Sequence, residues 1–174
     1  MKLDRLVSAI WVVAAMTTVC TQPAVSEERR SEMQPQTPAP SAYVKSKITH
    51  EPYGEIKVVV PLTSEDKGLQ RMKLANISNS LKAADTWQGK FTVKVVLYGK
   101  GLSLLTNPDE QTAKQVDMLR NHGVQFMVCD NSLAAFGIDF HTLYGVAESD
   151  IVPSGFAEVA YLQAKQGYVA DSAN

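Results

Sequence analysis

Cys129 is the strongest candidate for a reactive side chain, and it ends the apolar stretch "VQFMVC". A thiol reacts as a thiolate, which N–H groups at the start of a following helix would stabilise. Asp130 opposes this, because a neighbouring negative charge disfavours a thiolate. Two interpretations stay open: a reactive thiol at a strand end, or a small buried hydrophobic side chain.

Lys100 and Ser154 are weaker candidates. Lys100 lies in "YGKG", where it could offer its charge to an anionic species or be an ordinary solvated turn lysine. The sequence contains no G-x-G-x-x-G or G-x-x-x-x-G-K-[ST] pattern, which disfavours nucleotide phosphate binding. Ser154 in "PSG" is most simply a helix start, and the lack of a G-x-S-x-G elbow disfavours a serine hydrolase.

The three histidines show no metal-binding spacing, so they predict no metal site. His122 ends a predicted helix and needs no further role. His141 follows the Cys129 segment and could fold back toward the thiol, although no spacing rule supports a Cys–His pair.

The elements that must position these residues alternate along the chain. Short β-branched runs predict strands at residues 55–62, 90–99, 124–129 and 150–154, with a brief fifth at 168–170. Helical patterns are predicted at residues 64–85, 107–123 and 155–167, with short helical pieces around Gly137. The expected helix-start residues are Ser64, Asn107 followed by Pro108 and Glu110, and Ser154; the expected terminators are Gly123 and Gly167.

This alternation predicts an α/β fold, with a mostly parallel sheet covered by helices on both faces. Ligands of open α/β sheets bind beyond the carboxyl ends of the strands. The residues expected to reach that edge are Thr63, Tyr98, Lys100, Cys129, Asn131 and Ser154.

The first 26 residues have the layout of a secretory signal peptide. A basic start precedes an apolar run that is too short to span a bilayer comfortably, and small residues precede Glu27. We expect cleavage after Ser26 and a periplasmic or secreted location. Lipidation at Cys20 is less favoured because the preceding "TTV" does not fit a lipobox, and an uncut segment would instead be a short anchor.

Cleavage would leave Cys129 as the only cysteine of the mature chain. Residues 27–53 are rich in Pro, Ser and charge and predict a flexible linker, and residues 54–174 form the expected domain. The formal net charge of −1 gives no reason to expect nucleic acid or a membrane surface as a partner.

Four stretches carry a resemblance to a known family: "IKVVVPLTSEDKG", "VKVVLYGKGLSLL", "LRNHGVQFMVCDNSLAAFGID" and "DIVPSGFAEVAYLQAKQGY". With them, residues 55–168 resemble the exported single-domain branch of the DsrE/DsrF-like family of sulfur-relay proteins. The resemblance implies a three-layer α/β sandwich that assembles as a homotrimer or hexamer. It also implies a strand-end cysteine, here Cys129, that holds sulfane sulfur as a persulfide between a donor and an acceptor protein. The implied chemistry requires neither a metal nor an organic cofactor.

One position departs from the family pattern. Relay members often carry an arginine before the glycine that follows the cysteine helix, and here that pair is Phe136–Gly137. Two alternatives therefore accompany the sulfur-carrier hypothesis: a non-catalytic oligomeric binding module with Cys129 buried, and a thiol redox sensor that dimerises through Cys129. The apolar "GLSLL" after Lys100 fits either the core or a subunit contact.

Overall fold

The computed structural model describes Lys47 and residues 51–171, so the predicted signal peptide and most of the predicted linker lie outside the described residues. The strands are β1 (Gly54–Leu62), β2 (Gly89–Leu97), β3 (Gln125–Cys129), β4 (Ile151–Val152) and β5 (Val169–Ala170). The α-helices are α1 (Lys67–Thr86), α2 (Glu110–Asn121), α3 (Asp130–Phe136) and α4 (Gly155–Gln166). Three 3-10 segments accompany them at Gly99–Leu104, Phe140–Thr142 and Glu148–Asp150.

The five strands form one sheet in the order β4-β3-β2-β1-β5, and every neighbouring pair is parallel. Most crossovers join adjacent strands, whereas α4 carries the chain from β4 at one edge to β5 at the other. The helix therefore passes over the middle of the sheet and packs against β1, β2 and β3. The predicted α/β architecture with a parallel sheet is confirmed.

Alternate residues of the strands face two cores, as the period of two requires. Val60, Leu62 and their neighbours face a large core that includes α1 and α2. Val59 and Val96 face a smaller core formed with Val159 and Leu162 of α4 and with Tyr168. Helices thus cover both faces, and the predicted three layers are present.

The apolar "GLSLL" segment belongs to the core. The Leu102, Leu104 and Leu105 side chains are almost completely buried in the larger core. These leucines are therefore not available for a subunit contact, which leaves the core interpretation of this segment.

Two of the predicted helix starts are wrong. The N-cap residue of α1 is Asp66 rather than Ser64, because the Asp66 carboxylate accepts the Leu69 N–H at 2.6 Å. The α2 cap is Asp109 rather than Asn107, and its carboxylate accepts the Thr112 N–H at 2.7 Å. Asn107 has a φ of 45°, whereas an N-cap residue needs an extended backbone.

The other helix-end predictions are confirmed. Ser154 caps α4 by accepting the Ala157 N–H at 3.4 Å, and Gly167 ends that helix in the left-handed conformation. Gly123, with a φ of 85°, follows the end of α2. Among the described helices, none is long and apolar enough to cross a membrane.

Candidate functional site

The register of the sheet brings two chain segments to Cys129. Val128 pairs with Leu97 of β2, so the segment that follows β2 begins beside the end of β3. Cys129 itself pairs with Val152 of β4, so the start of α4 lies close to it on the other side. The thiol consequently stands at the carboxyl edge of the sheet, between residues 98–101 and the first turn of α4.

Cys129 is 4% exposed and occupies the position before the first residue of α3. Burial alone would raise the pKa of this thiol. The hydroxyl of Ser132 and the backbone N–H groups of Gly155, Ser132 and Asn131 outweigh that effect, and the pKa lies below its ordinary value. The thiol makes no capping hydrogen bond of regular geometry with α3.

Gly155 supplies its N–H because the start of α4 lies very close to Tyr98, the residue that follows β2. A Cβ added at Gly155 would lie 2.7 Å from the Cβ of Tyr98 and 2.9 Å from two of its ring carbons. A larger residue would therefore push the first turn of α4 away from the sheet. The glycine lets that turn present a backbone N–H to the sulfur in addition to those of α3.

Ser132 is the main site residue that the sequence predictions missed. It is 8% exposed, and its Oγ accepts a hydrogen bond from the Gly99 N–H at 2.8 Å. A signal for it exists in the sequence, because Ser132 is three residues after Cys129 at a helix start. Side chains at that spacing can reach back to the residue that precedes the helix.

The predicted lining residues occupy different environments around this edge. Tyr98 is half-buried against Gly155, and Ser154 uses its hydroxyl to cap α4. Thr63 and Asn131 are exposed. Lys100 is exposed as well, and its Nζ lies 2.7 Å from the Glu65 carboxylate rather than standing as an unpaired charge.

His141 is engaged away from the thiol. Its Nδ1 lies 2.7 Å from the Asp139 carboxylate, and its ring stacks on Phe140. The hydrogen bonds from His141 hold the pKa of Asp139 below its ordinary value. Within residues 51–171, no group of three or more His, Cys, Asp and Glu side chains is arranged to hold a metal ion.

Two grooves flank α3. The larger, of about 660 Å³, has carboxylates at its rim and an apolar floor, and it is lined in part by Asp130, Asp139, Glu148, Leu133, Ile138 and Phe140. The smaller, of about 330 Å³, lies between α3 and the Gly99–Leu104 segment, with Phe136 and Lys100 in its walls. Both leave room beside α3 for an approaching molecule.

This arrangement favours nucleophilic chemistry by sulfur. Hydrogen-bond donors increase the thiolate fraction at neutral pH, and the thiolate is the reactive form of cysteine. The small exposed area of Cys129 restricts access to species that present a narrow reactive atom, such as a terminal sulfur.

The sequence model of the DsrE/DsrF-like family matches residues 57–169. Among solved structures, the chain is similar to a protein of unknown function from Methanobacterium thermoautotrophicum, with 26% sequence identity and a TM-score of 0.57. That match covers 67% of this chain and 97% of the other chain.

A second similar structure is a conserved protein of unknown function from Bacteroides thetaiotaomicron, with 20% sequence identity and a TM-score of 0.48. It covers 66% of this chain and 91% of the other. The comparison with curated proteins finds no match. The matched range of the family extends from β1 to β5 and so includes every element around Cys129.

Proposed function

The chain belongs to the DsrE/DsrF-like family, which indicates a role related to sulfur relay, and from this premise we propose that Cys129 carries sulfane sulfur as a persulfide. The observation that carries the proposal is the environment of the thiol. Three backbone N–H groups and the Ser132 hydroxyl lower the pKa of a thiol that is otherwise shielded from water. Such donors would stabilise a persulfide anion in the same way as a thiolate.

The proposed reaction is an exchange between sulfur atoms. The Cys129 thiolate attacks the outer sulfur of a donor persulfide, a new S–S bond forms at Sγ, and the S–S bond of the donor breaks. The inner sulfur of the donor leaves as a thiolate with the electron pair of the broken bond, so no external oxidant is needed. An acceptor thiolate then attacks the sulfur held on Cys129, and the Cys129 thiolate leaves.

The direct test is intact-mass spectrometry of the protein after incubation with inorganic polysulfide. A Cys20→Ser background leaves Cys129 as the only thiol of the chain. We expect a gain of one or more sulfur atoms, removable by dithiothreitol, and no gain in the Cys20→Ser/Cys129→Ser control. The same protein unfolded in urea serves as the positive control for labelling of the thiol. Labelling of the unfolded chain without labelling of the folded protein would reject the carrier function.

One observation favours a second candidate, a binding module in which Cys129 only packs. The thiol is 4% exposed, which is also typical of a cysteine that acts as a small hydrophobic residue. Under that function Cys129→Ala would leave partner binding unchanged, whereas the carrier function requires the loss of sulfur transfer. The same burial disfavours a redox sensor that forms an intermolecular disulfide. Non-reducing gels of the oxidised protein and of its Cys129→Ser variant test that possibility.

We also propose that the protein is exported, with cleavage after Ser26, and that it acts as a homo-oligomer with a sulfur donor or acceptor protein. The support for export is the composition of residues 1–26. Expression in a Gram-negative host, followed by N-terminal sequencing of the periplasmic form, tests it. A mature protein that begins at Glu27 is expected, and a protein that keeps Met1 in the cytoplasmic fraction would contradict export.

A further inference from the structure

The backbone of the turn formed by residues 98–101 holds the Ser132 hydroxyl beside the thiol. The Gly99 N–H donates to Ser132 Oγ at 2.8 Å. Ser132 lies three residues after Cys129 in the first turn of α3, a spacing at which its side chain can reach back to the residue before the helix, and its hydroxyl lowers the pKa of the thiol. Ser132 and Cys129 are both more than nine-tenths buried, so water has little access to compete for this hydroxyl.

The direction of the hydrogens follows from what each group can donate. A serine hydroxyl has one hydrogen and two acceptor positions, and the Gly99 N–H occupies one of the latter. Once Cys129 ionises, the sulfur has no hydrogen of its own, so only the serine hydrogen can lie between Oγ and Sγ. The bond from Gly99 also polarises the hydroxyl and makes it a stronger donor.

The turn that supplies this N–H is itself fixed to β1. Gly99 has a φ of 55°, and a Cβ at Gly101 would lie 1.9 Å from the Leu62 carbonyl oxygen. The Tyr98 N–H donates to that same Leu62 carbonyl at 3.2 Å. Gly99 therefore allows the left-handed turn, and Gly101 allows the close approach of that turn to the end of β1; together they set the position of the Gly99 N–H.

We propose that Ser132 is the positioning residue of the Cys129 site and that the 98–101 turn holds its hydroxyl hydrogen toward the sulfur. This assigns the "YGKG" motif a role through its backbone rather than through Lys100, whose charge is paired with Glu65. The proposal deepens the proposed function, but it concerns the thiol itself and can be tested without any sulfur donor.

The charged groups on the elements around the thiol are unchanged in the test. They are Asp130 of α3, Glu158 of α4, Glu148 and Asp150 before β4, and Lys100 with its partner Glu65. Their contribution is common to every variant compared, so a difference between variants reports the Ser132 hydroxyl.

The experiment measures the rate of Cys129 alkylation by iodoacetamide against pH in the Cys20→Ser protein. In Ser132→Ala we expect the midpoint of the profile to rise by about one to two pH units, as is typical for loss of a hydrogen bond to a charged group. Ser132→Thr keeps a hydroxyl and should restore most of the shift. Ser103→Ala is the matched control. It removes a hydroxyl of the same region that is bonded to Gln70, and it leaves the hydrogen bond between Gly99 and Ser132 intact.

A measurement on the protein with Ser132 in place covers the case in which Ser132→Ala does not fold. The Gly99 amide signal in a ¹H–¹⁵N spectrum should shift with pH at the midpoint found for Cys129 alkylation, and this shift should vanish in Cys129→Ala. An unchanged midpoint in folded Ser132→Ala, an equal rise in Ser103→Ala, or a Gly99 signal that does not titrate would overturn the proposal. If polysulfide fails to label Cys129 while these shifts are present, the carrier function fails and the role of Ser132 stands.

Discussion

At the scale of single residues, the Cys129 thiol is subject to two opposing effects. Burial favours the neutral thiol, because the charged form loses its hydration. The donors from Ser132, Gly155 and Asn131 favour the thiolate, and their combined effect is the larger one. The net result is a cysteine that is both shielded and activated, which suits a group that must hold a reactive sulfur without losing it to solvent.

The lowered pKa predicts how stability changes with pH. Because the pKa of Cys129 is lower in the folded than in the unfolded protein, the thiolate stabilises the fold. This stabilisation is complete above the unfolded pKa and is lost as the pH falls through the folded pKa. Urea unfolding from about pH 6 to about pH 10 should therefore show a free-energy difference between the Cys20→Ser protein and its Cys129→Ala variant that grows with pH. A difference that stays constant, or shrinks as the pH rises, would contradict the pKa direction.

Asp130 should reduce the reactivity of the neighbouring thiol. It lies next to Cys129 in the first turn of α3 and is exposed. Asp130→Asn is expected to lower the midpoint of Cys129 alkylation by about 0.2 to 0.5 pH units, because exposed charges are strongly screened. Raising the salt concentration should shrink this difference. Asp85→Asn, an exposed change at the far end of α1, is the control, and an equal shift there would show that the effect is not local to Cys129.

Residue types alone identified Cys129 but not the groups that activate it. A cysteine at the end of an apolar run is visible in sequence, and so is its place at a sheet edge. The Gly99 N–H that holds Ser132 arrives through the pairing of Leu97 with Val128, and Gly155 reaches the thiol through the pairing of Cys129 with Val152. That register depends on contacts between distant segments, which periodicity does not encode.

At the scale of elements, helix starts show where local signals compete. Asn107 and Asp109 are both good capping residues, and Pro108 between them suits the first helical position. The chain instead starts α2 after Asp109, because Thr106 forms a bridge with Leu143 and Asn107 turns back with a positive φ. Helix α2 is present as predicted, whereas tertiary contacts determine the residue at which it begins.

The start of α4 gives the prediction at this scale. Gly155→Ala would place a Cβ 2.7 Å from the Cβ of Tyr98, an atom that cannot move without the β2 backbone. We expect a loss of about 1–3 kcal/mol in the free energy of unfolding. We also expect a higher midpoint of Cys129 alkylation, because the Gly155 N–H would move away from the sulfur. Urea unfolding and the alkylation profile measure the two effects.

The matched control for this substitution is Gly68→Ala in α1. There an added Cβ would meet the Asp66 carboxylate oxygen that caps α1 at 3.1 Å, a contact that a small side-chain shift relieves. Alanine is also the better helix former, which offsets this shift, so the free energy of unfolding should change by less than about 1 kcal/mol and the alkylation profile should stay the same. Equal behaviour of the two variants would mean that the close approach of α4 to Tyr98 is not needed for the site.

At the scale of the whole molecule, the two faces of the sheet are covered unequally. Alternation of strands and helices predicted a parallel sheet, but it could not give the order β4-β3-β2-β1-β5 or the long crossing made by α4. As a result, α1 and α2 cover one face over a large core, whereas among the described helices α4 packs on the other over a small one. The side of α4 that faces away from the sheet is exposed.

The outward surface of α4 is apolar. At 100° per residue, Phe156, Ala160, Ala164, Ala157 and Tyr161 fall within an arc of about 140°. All five are exposed, Phe156 to 75% and Tyr161 to 50%, and the arc contains no charged residue. Two aromatic side chains beside a row of alanines form a surface that allows a second helix to approach closely, and soluble monomers seldom expose such patches.

We therefore expect the protein to self-associate through α4, rather than through the buried leucines of "GLSLL". Phe156→Ser should lower the mass found by light scattering toward that of a monomer, because it removes the largest exposed apolar side chain of the arc. Met118→Ser on α2 is the matched control, since it removes an exposed apolar side chain from the other side of the sheet and should leave the assembly intact. A strictly monomeric unmutated protein would reject the assembly itself. An oligomer that persists in Phe156→Ser but dissociates in Met118→Ser would place the contact on the opposite face.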